Sequence, residues 1–151
     1  MDQAVTIGHF PTATQIGVPL HIAVMEGTMN ERYPYKPPIP LTVAINTVIT
    51  PLDIEQVEIN EGCLTVPLRG VVSRYVNIKV EYVDRDGQRN LEACRGLTAG
   101  TWQHEIDHLD GALFIDRVND PRTLSTWDEF NTHHREAFTK QMLALVDRVG
   151  S

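Results

Sequence analysis

Alternating apolar and polar positions predict most of the strands in this chain. The alternation over residues 16–25 has the period of a half-buried strand. Residues 41–50 are rich in Val, Ile and Thr and predict a second strand. Strict alternation over residues 76–83 predicts another, and Asp86-Gly87 is a strong turn signal before a returning strand at residues 89–93. The pattern therefore indicates a protein with antiparallel hairpins.

Two later segments have helical spacing. Residues 96–111 predict a helix, and Gly111 is suited to its left-handed C-terminal stop. Thr126 and Glu129 have the spacing of a capping box at the start of a second helix. The residues predicted to face its packed side follow at helical intervals: Phe130, His134, Phe138, Met142, Leu145 and Val149.

Composition and charge restrict the class of protein. The chain has 151 residues, of which 42% are hydrophobic, and no break in composition, so we expect one domain spanning residues 1–151. A net charge of −7 argues against a nucleic-acid surface, which collects Lys and Arg on one face. The sequence shows no long apolar run and no leader for secretion or import, so we expect no membrane contact and a cytoplasmic location.

The clearest chemical signal is the segment 103–108, which reads Gln-His-Glu-Ile-Asp-His. A helix carries residues four apart on one face, so His104 and His108 aim their imidazoles at one point. This is the H-E-x-x-H pattern, in which two neutral imidazoles bind a divalent cation and the carboxylate, here Glu105, handles a proton of water. The alternative is a helix whose His and acidic residues face solvent. A third ligand would decide between these interpretations.

Two cysteines compete for the place of third ligand. Cys63 follows Gly62, which permits close backbone approach, so its thiolate can point inward from a bend. Cys94 lies just before the predicted helix and too far along the chain to share its metal-facing side, so we interpret it as a partly buried small hydrophobic residue. Cys63, His104 and His108 then form a three-ligand set with an open fourth position, as in catalytic rather than structural sites.

Two motifs resemble those of the peptide deformylases. Residues 61–65 read Glu-Gly-Cys-Leu-Thr and residues 103–108 read Gln-His-Glu-Ile-Asp-His, similar to the family patterns E-G-C-L-S and Q-H-E-x-D-H. Only Thr65 departs, and it keeps the hydroxyl. The resemblance runs from about Gln15 to Asp116, whereas a zinc protease would show a different third ligand. It implies an α+β fold in which antiparallel or mixed β-sheets surround the metal-binding helix, with a C-terminal helix.

The first motif of that family, G-x-G-L-A-A-x-Q, is altered in this chain. The matching residues 8–15 read Gly-His-Phe-Pro-Thr-Ala-Thr-Gln. The resemblance assigns Gln15 and the backbone N–H of Leu64 to stabilising an oxyanion. Phe10 and Pro11 replace Gly and Leu, and we expect them to reshape one wall of the substrate cleft. Family members carry a first helix before this motif, so we expect either a naturally shortened form or a sequence that lacks a segment. In both cases we expect lower stability, unless another element or subunit completes the core.

The resemblance implies a metal-dependent hydrolase that removes the N-formyl group from the formyl-methionine of nascent peptides and releases formate. The formylated peptide would be its partner, with the ribosome as a candidate second partner. Fe(II) is the expected ion, and Zn(II), Ni(II) or Co(II) suit the same ligands. An arginine in the place of Arg74 lies beside the cleft in the family and helps seat the peptide; the alternative is an ordinary surface arginine. The other residues expected at the substrate are Gly62, Gly100 and Thr101, the last two leaving room for a side chain such as methionine.

Two other functions remain open at this point. The altered first motif is consistent with a deformylase that acts on another formylated amide or a small metabolite. The missing first helix and the lost glycines are consistent with an inactive homologue that retains its metal. Turnover of a formyl-Met peptide favours the first function, and a strong preference for a non-peptide formamide favours the second. Metal retention without turnover of any formamide favours the third.

Overall fold

The computed structural model describes residues 11–28 and 35–150. Its strands are β1 (Ile22–Gly27), β2 (Ile39–Pro51), β3 (Gln56–Cys63), β4 (Val66–Tyr75), β5 (Asn77–Val83) and β6 (Arg89–Arg95). Its α-helices are α1 (Gly96–Leu109), the single turn α2 (Trp127–Glu129) and α3 (Arg135–Val149). Short 3-10 turns lie at residues 14–16, 114–117 and 121–123. The predicted α+β class is therefore confirmed.

The described strands form two antiparallel sheets. One has the order β1-β2-β5-β6, and the other is the hairpin β3-β4. The register of the hairpin shifts between Gly62 and Cys63, so that Cys63 pairs with Val66 across the two-residue turn Leu64-Thr65. The hairpin therefore carries Cys63 at its tip, where the strands end.

The strand predicted for residues 16–25 is wrong in its first half. Residues 14–16 form a 3-10 turn, and Gly17 follows in the left-handed region at φ 79°. The apolar Ile16, Val18 and Leu20 are exposed at 71%, 37% and 53%. Their alternation therefore arises from a solvent-facing loop, and strand β1 begins only at Ile22. By contrast, the strands predicted at 41–50, 76–83 and 89–93 are confirmed as β2, β5 and β6.

Helix α1 is the central element of the fold. On one side, Ala99 and Trp102 pack in a buried cluster with residues of the four-stranded sheet, including Ile78. On another side, Leu97 packs with Ile59 of β3 and with residues of α3. The helix ends at Leu109, and Gly111 has φ 79°, as the predicted left-handed stop requires. Its position between the two sheets confirms the predicted arrangement.

The C-terminal segment is helical as predicted, but it is not one regular helix. Thr126 caps α2, because its hydroxyl oxygen accepts a hydrogen bond from the Glu129 N–H at 3.2 Å. A π-helical stretch, Phe130–His134, then joins α2 to α3. Its wider turn alters the spacing of the packed face, and His134 is exposed rather than packed. None of the described helices is both long enough and apolar enough to span a membrane.

The packing of α3 predicts a difference between two neighbouring residues. Met142 is fully buried in the cluster with Ile59 and Leu97, whereas Leu143 is 40% exposed. Met142→Ala should lower the free energy of unfolding by about 2–5 kcal/mol, because it leaves a cavity. Leu143→Ala should cost about 0.5 kcal/mol or less. Urea denaturation of both variants measures this, and equal effects would contradict the packing of α3.

Candidate metal centre

The hairpin tip and helix α1 bring three side chains to one point. Cys63 lies at the end of β3, and His104 and His108 lie one turn apart on α1. The Nε2 atom of His108 is 3.3 Å from Cys63 Sγ and 3.2 Å from His104 Nε2. The ligand atoms of all three residues lie within 4.8 Å of one another. The residues that the sequence predicted as metal ligands therefore converge in space.

The electrostatic environment favours a thiolate at Cys63. Burial opposes ionisation of the thiol, but its contacts with His104, His108 and Thr65 lower its pKa to about 5. Burial likewise opposes the charged form of His104, yet its contacts with Cys63 and Glu61 raise its pKa to about 10. The site therefore favours negative charge on sulfur, which is the form of cysteine that binds metals.

The donor set is suited to a transition-metal ion. A thiolate and two imidazoles are ligands for Zn(II) and for iron, and three protein ligands leave a position open. In the part of the chain that the structure describes, this is the one group of three or more His, Cys, Asp or Glu residues with ligand atoms close enough to share an ion. Cys94 lies outside this group and is buried in β6, where burial raises its pKa to about 11. It is the small buried residue that the sequence predicted.

Glu105 lies beside the cluster as a buried carboxyl group. It is 5% exposed, and no described residue hydrogen-bonds its Oε2 atom. Burial raises its pKa to about 7, against the attraction of His104 and His108. A carboxyl group with a pKa near neutrality can both accept and return a proton, as a general base and acid must.

Gln15 reaches the cluster from the loop before β1. Its Nε2 atom lies 3.2 Å from Thr65 Oγ1 and 3.9 Å from Cys63 Sγ. Its Oε1 atom is held on the opposite side by Thr12. The side chain of Leu64 is 91% exposed in the hairpin turn between Cys63 and Thr65. Residues 8–10 of the altered first motif lie outside the described residues.

A buried ion-pair network supports His104. Its Nδ1–H donates to Glu61 Oε2 at 2.9 Å, which turns Nε2 toward Cys63 and His108. Glu61 also accepts from Arg74, at 2.7 Å from Nε and 2.9 Å from the second guanidinium nitrogen. Burial opposes the charged form of Glu61, but Arg74 and His104 lower its pKa to about 2. Glu61 thus remains a carboxylate that fixes the orientation of His104.

The position of Arg74 corrects the expectation that it seats the peptide beside the cleft. It is 4% exposed and bridges Glu61 to Asp107, whose Oδ2 lies 2.6 Å from Arg74. Arg117 binds the other oxygen of Asp107 at 2.7 Å and is itself 52% exposed. The guanidinium of Arg74 thus donates its hydrogen bonds to two buried carboxylates. Arg74 therefore acts on the candidate ligands indirectly, because it holds Glu61, which accepts a hydrogen bond from His104.

The small residues near the site serve different purposes. A Cβ atom on Gly62 would lie 2.7 Å from Trp127 and 3.0 Å from the Arg69 side chain, so glycine allows these side chains to pack on the hairpin. A Cβ atom on Gly100 would lie 2.8 Å from Ile59 Cδ1. Gly100 therefore lies against the end of a β3 side chain, and its predicted place at the substrate pocket stays a prediction.

Thr101 lies at a pocket on the same helix. It lines this pocket together with Leu97, Lys36 and Ile39. Its hydroxyl donates to the Leu97 carbonyl at 3.0 Å, so its hydrogen is directed along the helix. The predicted place of Thr101 in the substrate pocket is compatible with this position and stays a prediction.

Three supporting residues were missed in the sequence. Thr12 fixes Gln15, Glu61 orients His104, and Arg117 pairs with Asp107. Glu61 is the first residue of the Glu-Gly-Cys-Leu-Thr motif, so its closeness to Cys63 in the sequence could have indicated a role at the site. Nothing local distinguishes Thr12 or Arg117, because their partners become neighbours only on folding.

The comparisons with known proteins agree with this geometry. The family model described as polypeptide deformylase matches residues 3–123. Peptide deformylase 1 of Prochlorococcus marinus is 43% identical over 80% of this chain and 64% of its own length. Peptide deformylase 1 of Bordetella pertussis is 44% identical over 72% of this chain and 62% of its own. The chain thus spans about three fifths of these relatives.

Solved structures show the same fold. A class I type b peptide deformylase from Acinetobacter baumannii has 34% sequence identity and a TM-score of 0.68, covering 74% of this chain and 70% of that one. The peptide deformylase of Thermotoga maritima has 32% identity and a TM-score of 0.61, covering 74% and 69%. The fold and the Cys-His-His cluster define a candidate metalloprotein. The chain belongs to the polypeptide deformylase family, whose members depend on a metal.

The support of His104 by Glu61 leads to a test of metal retention. Glu61→Gln keeps the size of the side chain but removes the charge that holds both Arg74 and His104. Because such supporting partners orient metal ligands, we expect metal affinity to fall about 10-fold to 100-fold. Competition with a chelator under anaerobic conditions measures it. Glu58→Gln, an exposed change on the same strand, is the control, and equal affinities in all three proteins would disprove the role of Glu61.

Proposed function

We propose that this chain is a metal-dependent hydrolase that removes the formyl group from the formyl-methionine of nascent peptides and releases formate. The observation that carries the proposal is the convergence of Cys63, His104 and His108 beside the buried Glu105. Family membership supports it. So does the related Acinetobacter baumannii enzyme, which was solved with Met-Ala-Ser bound, a peptide that begins with unformylated methionine.

Cys63, His104 and His108 would hold the ion, and we propose Fe(II), with Zn(II), Ni(II) or Co(II) able to use the same ligands. When bound, the ion supplies Lewis acidity, which lowers the pKa of water and polarises a carbonyl group. The lowered pKa of the Cys63 thiol keeps its sulfur in the ligating form. Glu61 keeps His104 in the tautomer whose Nε2 faces the ion site.

Glu105 would move the protons of the reaction. A formamide resists hydrolysis because its carbonyl is stabilised by nitrogen and its amine is a poor leaving group. Glu105 accepts a proton from the attacking water and returns it to the leaving amine. Burial raises its pKa to about 7 against the attraction of the two imidazoles, and this value suits both steps.

Gln15 and the Leu64 N–H would stabilise the oxygen on which negative charge develops. The Gln15 amide nitrogen points to the side of the cluster where Cys63 and Thr65 lie. Leu64 follows Cys63 in the tight turn, so its N–H belongs to the same edge of the site. Donors that are fixed before the reaction stabilise developing charge without reorganisation.

Thr101 would lie beside the first side chain of the peptide, because it is one turn before His104 on α1. Leu97, Ile39 and Lys36 are its neighbours there. Because nascent peptides are the proposed substrate, we propose that the chain acts in the cytoplasm near the ribosome. We also propose that residues 1–151 form one domain, because α3 packs on α1 and β3.

The decisive experiment is a formate assay with formyl-Met-Ala-Ser on protein purified and metal-analysed under anaerobic conditions. Glu105→Gln removes the proton carrier with little change of shape, so we expect kcat to fall by about 100-fold or more. Glu136→Gln is the matched control, because Glu136 is 85% exposed on α3. Metal content should be the same in all three proteins.

Two outcomes would overturn the proposal. If Glu105→Gln turns over the formyl peptide as fast as the wild type, Glu105 is not the proton carrier. Full metal occupancy without release of formate from the formyl peptide would exclude the proposed substrate. A parallel assay with small formamides then tests whether another formylated amide is used.

A further inference from the structure

Thr12 is a buried hydroxyl residue directly behind Gln15. It stands where the deformylase motif G-x-G-L-A-A-x-Q has its first alanine. It is 1% exposed, although the following residues 15–20 are exposed. Its backbone N–H and its Oγ1 atom lie 3.0 and 3.1 Å from Gln15 Oε1. The carboxamide oxygen of Gln15 therefore faces two donors on one residue.

The neighbouring Thr14 restricts the direction of the Thr12 hydroxyl. Thr14 Oγ1 donates to the carbonyl oxygen of His108 at 2.9 Å, and a carbonyl can only accept. The hydrogen of Thr14 is thereby used, so in the 3.2 Å contact between the two hydroxyls Thr14 can only accept. The hydrogen of Thr12 is left with two acceptors, Gln15 Oε1 and Thr14 Oγ1. Both lie in the loop that presents Gln15.

Thr12 is itself held by strand β1. It forms a β-bridge with Ala23, and the residues on either side hydrogen-bond to this strand. Val24 N–H donates to the Pro11 carbonyl at 3.0 Å, and Ala13 N–H donates to the Ile22 carbonyl at 2.9 Å. The two donors that face Gln15 are therefore attached to a fixed part of the backbone.

A rotated carboxamide at Gln15 would be unfavourable. Exchange of its oxygen and nitrogen would place the NH2 group against the Thr12 N–H, which has no lone pair to accept a hydrogen bond. In the observed orientation, Nε2 lies on the opposite side, 3.2 Å from Thr65 Oγ1 and 3.9 Å from Cys63 Sγ. The contacts of Thr12 thus determine that the NH2 end of the Gln15 carboxamide, and not its oxygen, faces the Cys63-His104-His108 cluster.

We propose that Thr12 is a positioning residue, whose hydroxyl holds Gln15 with its NH2 group directed at the reacting oxygen. The inference rests on the proposed function, because it assigns Gln15 to the oxyanion. Gln15 would then donate most strongly when negative charge has developed, so the benefit of Thr12 should appear in kcat more than in KM.

The test compares Thr12→Val with Thr12→Ser in the metal-loaded enzyme. Valine keeps the shape and removes the hydroxyl, whereas serine keeps the hydroxyl and removes a methyl group. Loss of one oxyanion donor costs about 100-fold or more, and a misaligned donor should cost less, so we expect about a 10-fold fall in kcat for Thr12→Val. KM should change by less than about twofold. Thr12→Ser should restore most of kcat.

Thr47→Val is the matched control. Thr47 is 5% exposed in β2, and no described residue hydrogen-bonds its Oγ1 atom. The chemical change is the same replacement of a buried Thr by Val, but the hydroxyl that it removes makes no hydrogen bond with Gln15. Its kcat should equal that of the wild type, and its stability should be equal or higher.

A double-mutant cycle tests whether Thr12 acts through Gln15. If it does, Thr12→Val should cause no further loss of kcat in a Gln15→Ala background. An unchanged kcat in Thr12→Val, or the same fold-loss with and without Gln15, would overturn the inference.

A second measurement does not depend on activity. In 15N-labelled protein, the side-chain NH2 signals of Gln15, assigned by their loss in Gln15→Ala, should show a lower heteronuclear NOE in Thr12→Val than in the wild type. An equal NOE would overturn the positioning role. If the wild type releases no formate, the proposed function fails, and this measurement still tests whether the Thr12 hydroxyl restrains the Gln15 side chain.

Discussion

The buried ion pairs of Arg74 with Glu61 and Asp107 connect the three elements on which the site depends. Glu61 lies on β3, Arg74 on β4 and Asp107 on α1, so one guanidinium joins the hairpin to the central helix. Removing one member of such a buried pair costs about 3–5 kcal/mol, because an uncompensated charge remains. The same contacts hold Glu61 where it accepts a hydrogen bond from His104. Stability and ligand geometry therefore rest on the same atoms.

The two buried glutamates of the site, Glu61 and Glu105, have different environments and different pKa values. The network behind His104 is fully paired and keeps Glu61 ionised, as its pKa of about 2 indicates. Glu105 is also buried, but burial raises its pKa to about 7, and no described residue hydrogen-bonds its Oε2 atom. The pKa values of two glutamate side chains thus differ, because Glu61 is paired with Arg74 whereas Glu105 lies beside the Cys63-His104-His108 cluster.

The altered first motif acquires a structural interpretation. Its glutamine keeps its place beside Cys63, and Thr12 supplies a hydroxyl behind it. The Gln15 carboxamide thus lies between Thr12 on one side and Cys63 and Thr65 on the other. Arg74 shows the opposite case, because its place in the sequence matches that of a cleft residue, whereas packing buries it in the structure.

The sequence by itself determined the elements with a strict period and the two candidate histidine ligands with a fixed spacing. His104 and His108 share a helix face because a helix repeats every 3.6 residues, and strands β2, β5 and β6 follow from alternation. It misassigned residues 16–21, because alternating apolar residues in an exposed loop have the same pattern as a strand. Only the tertiary structure decided that Arg74 lies behind the ligands and that Thr12 holds Gln15. Those contacts depend on the docking of the hairpin on α1 and of the loop on β1, and no local pattern encodes them.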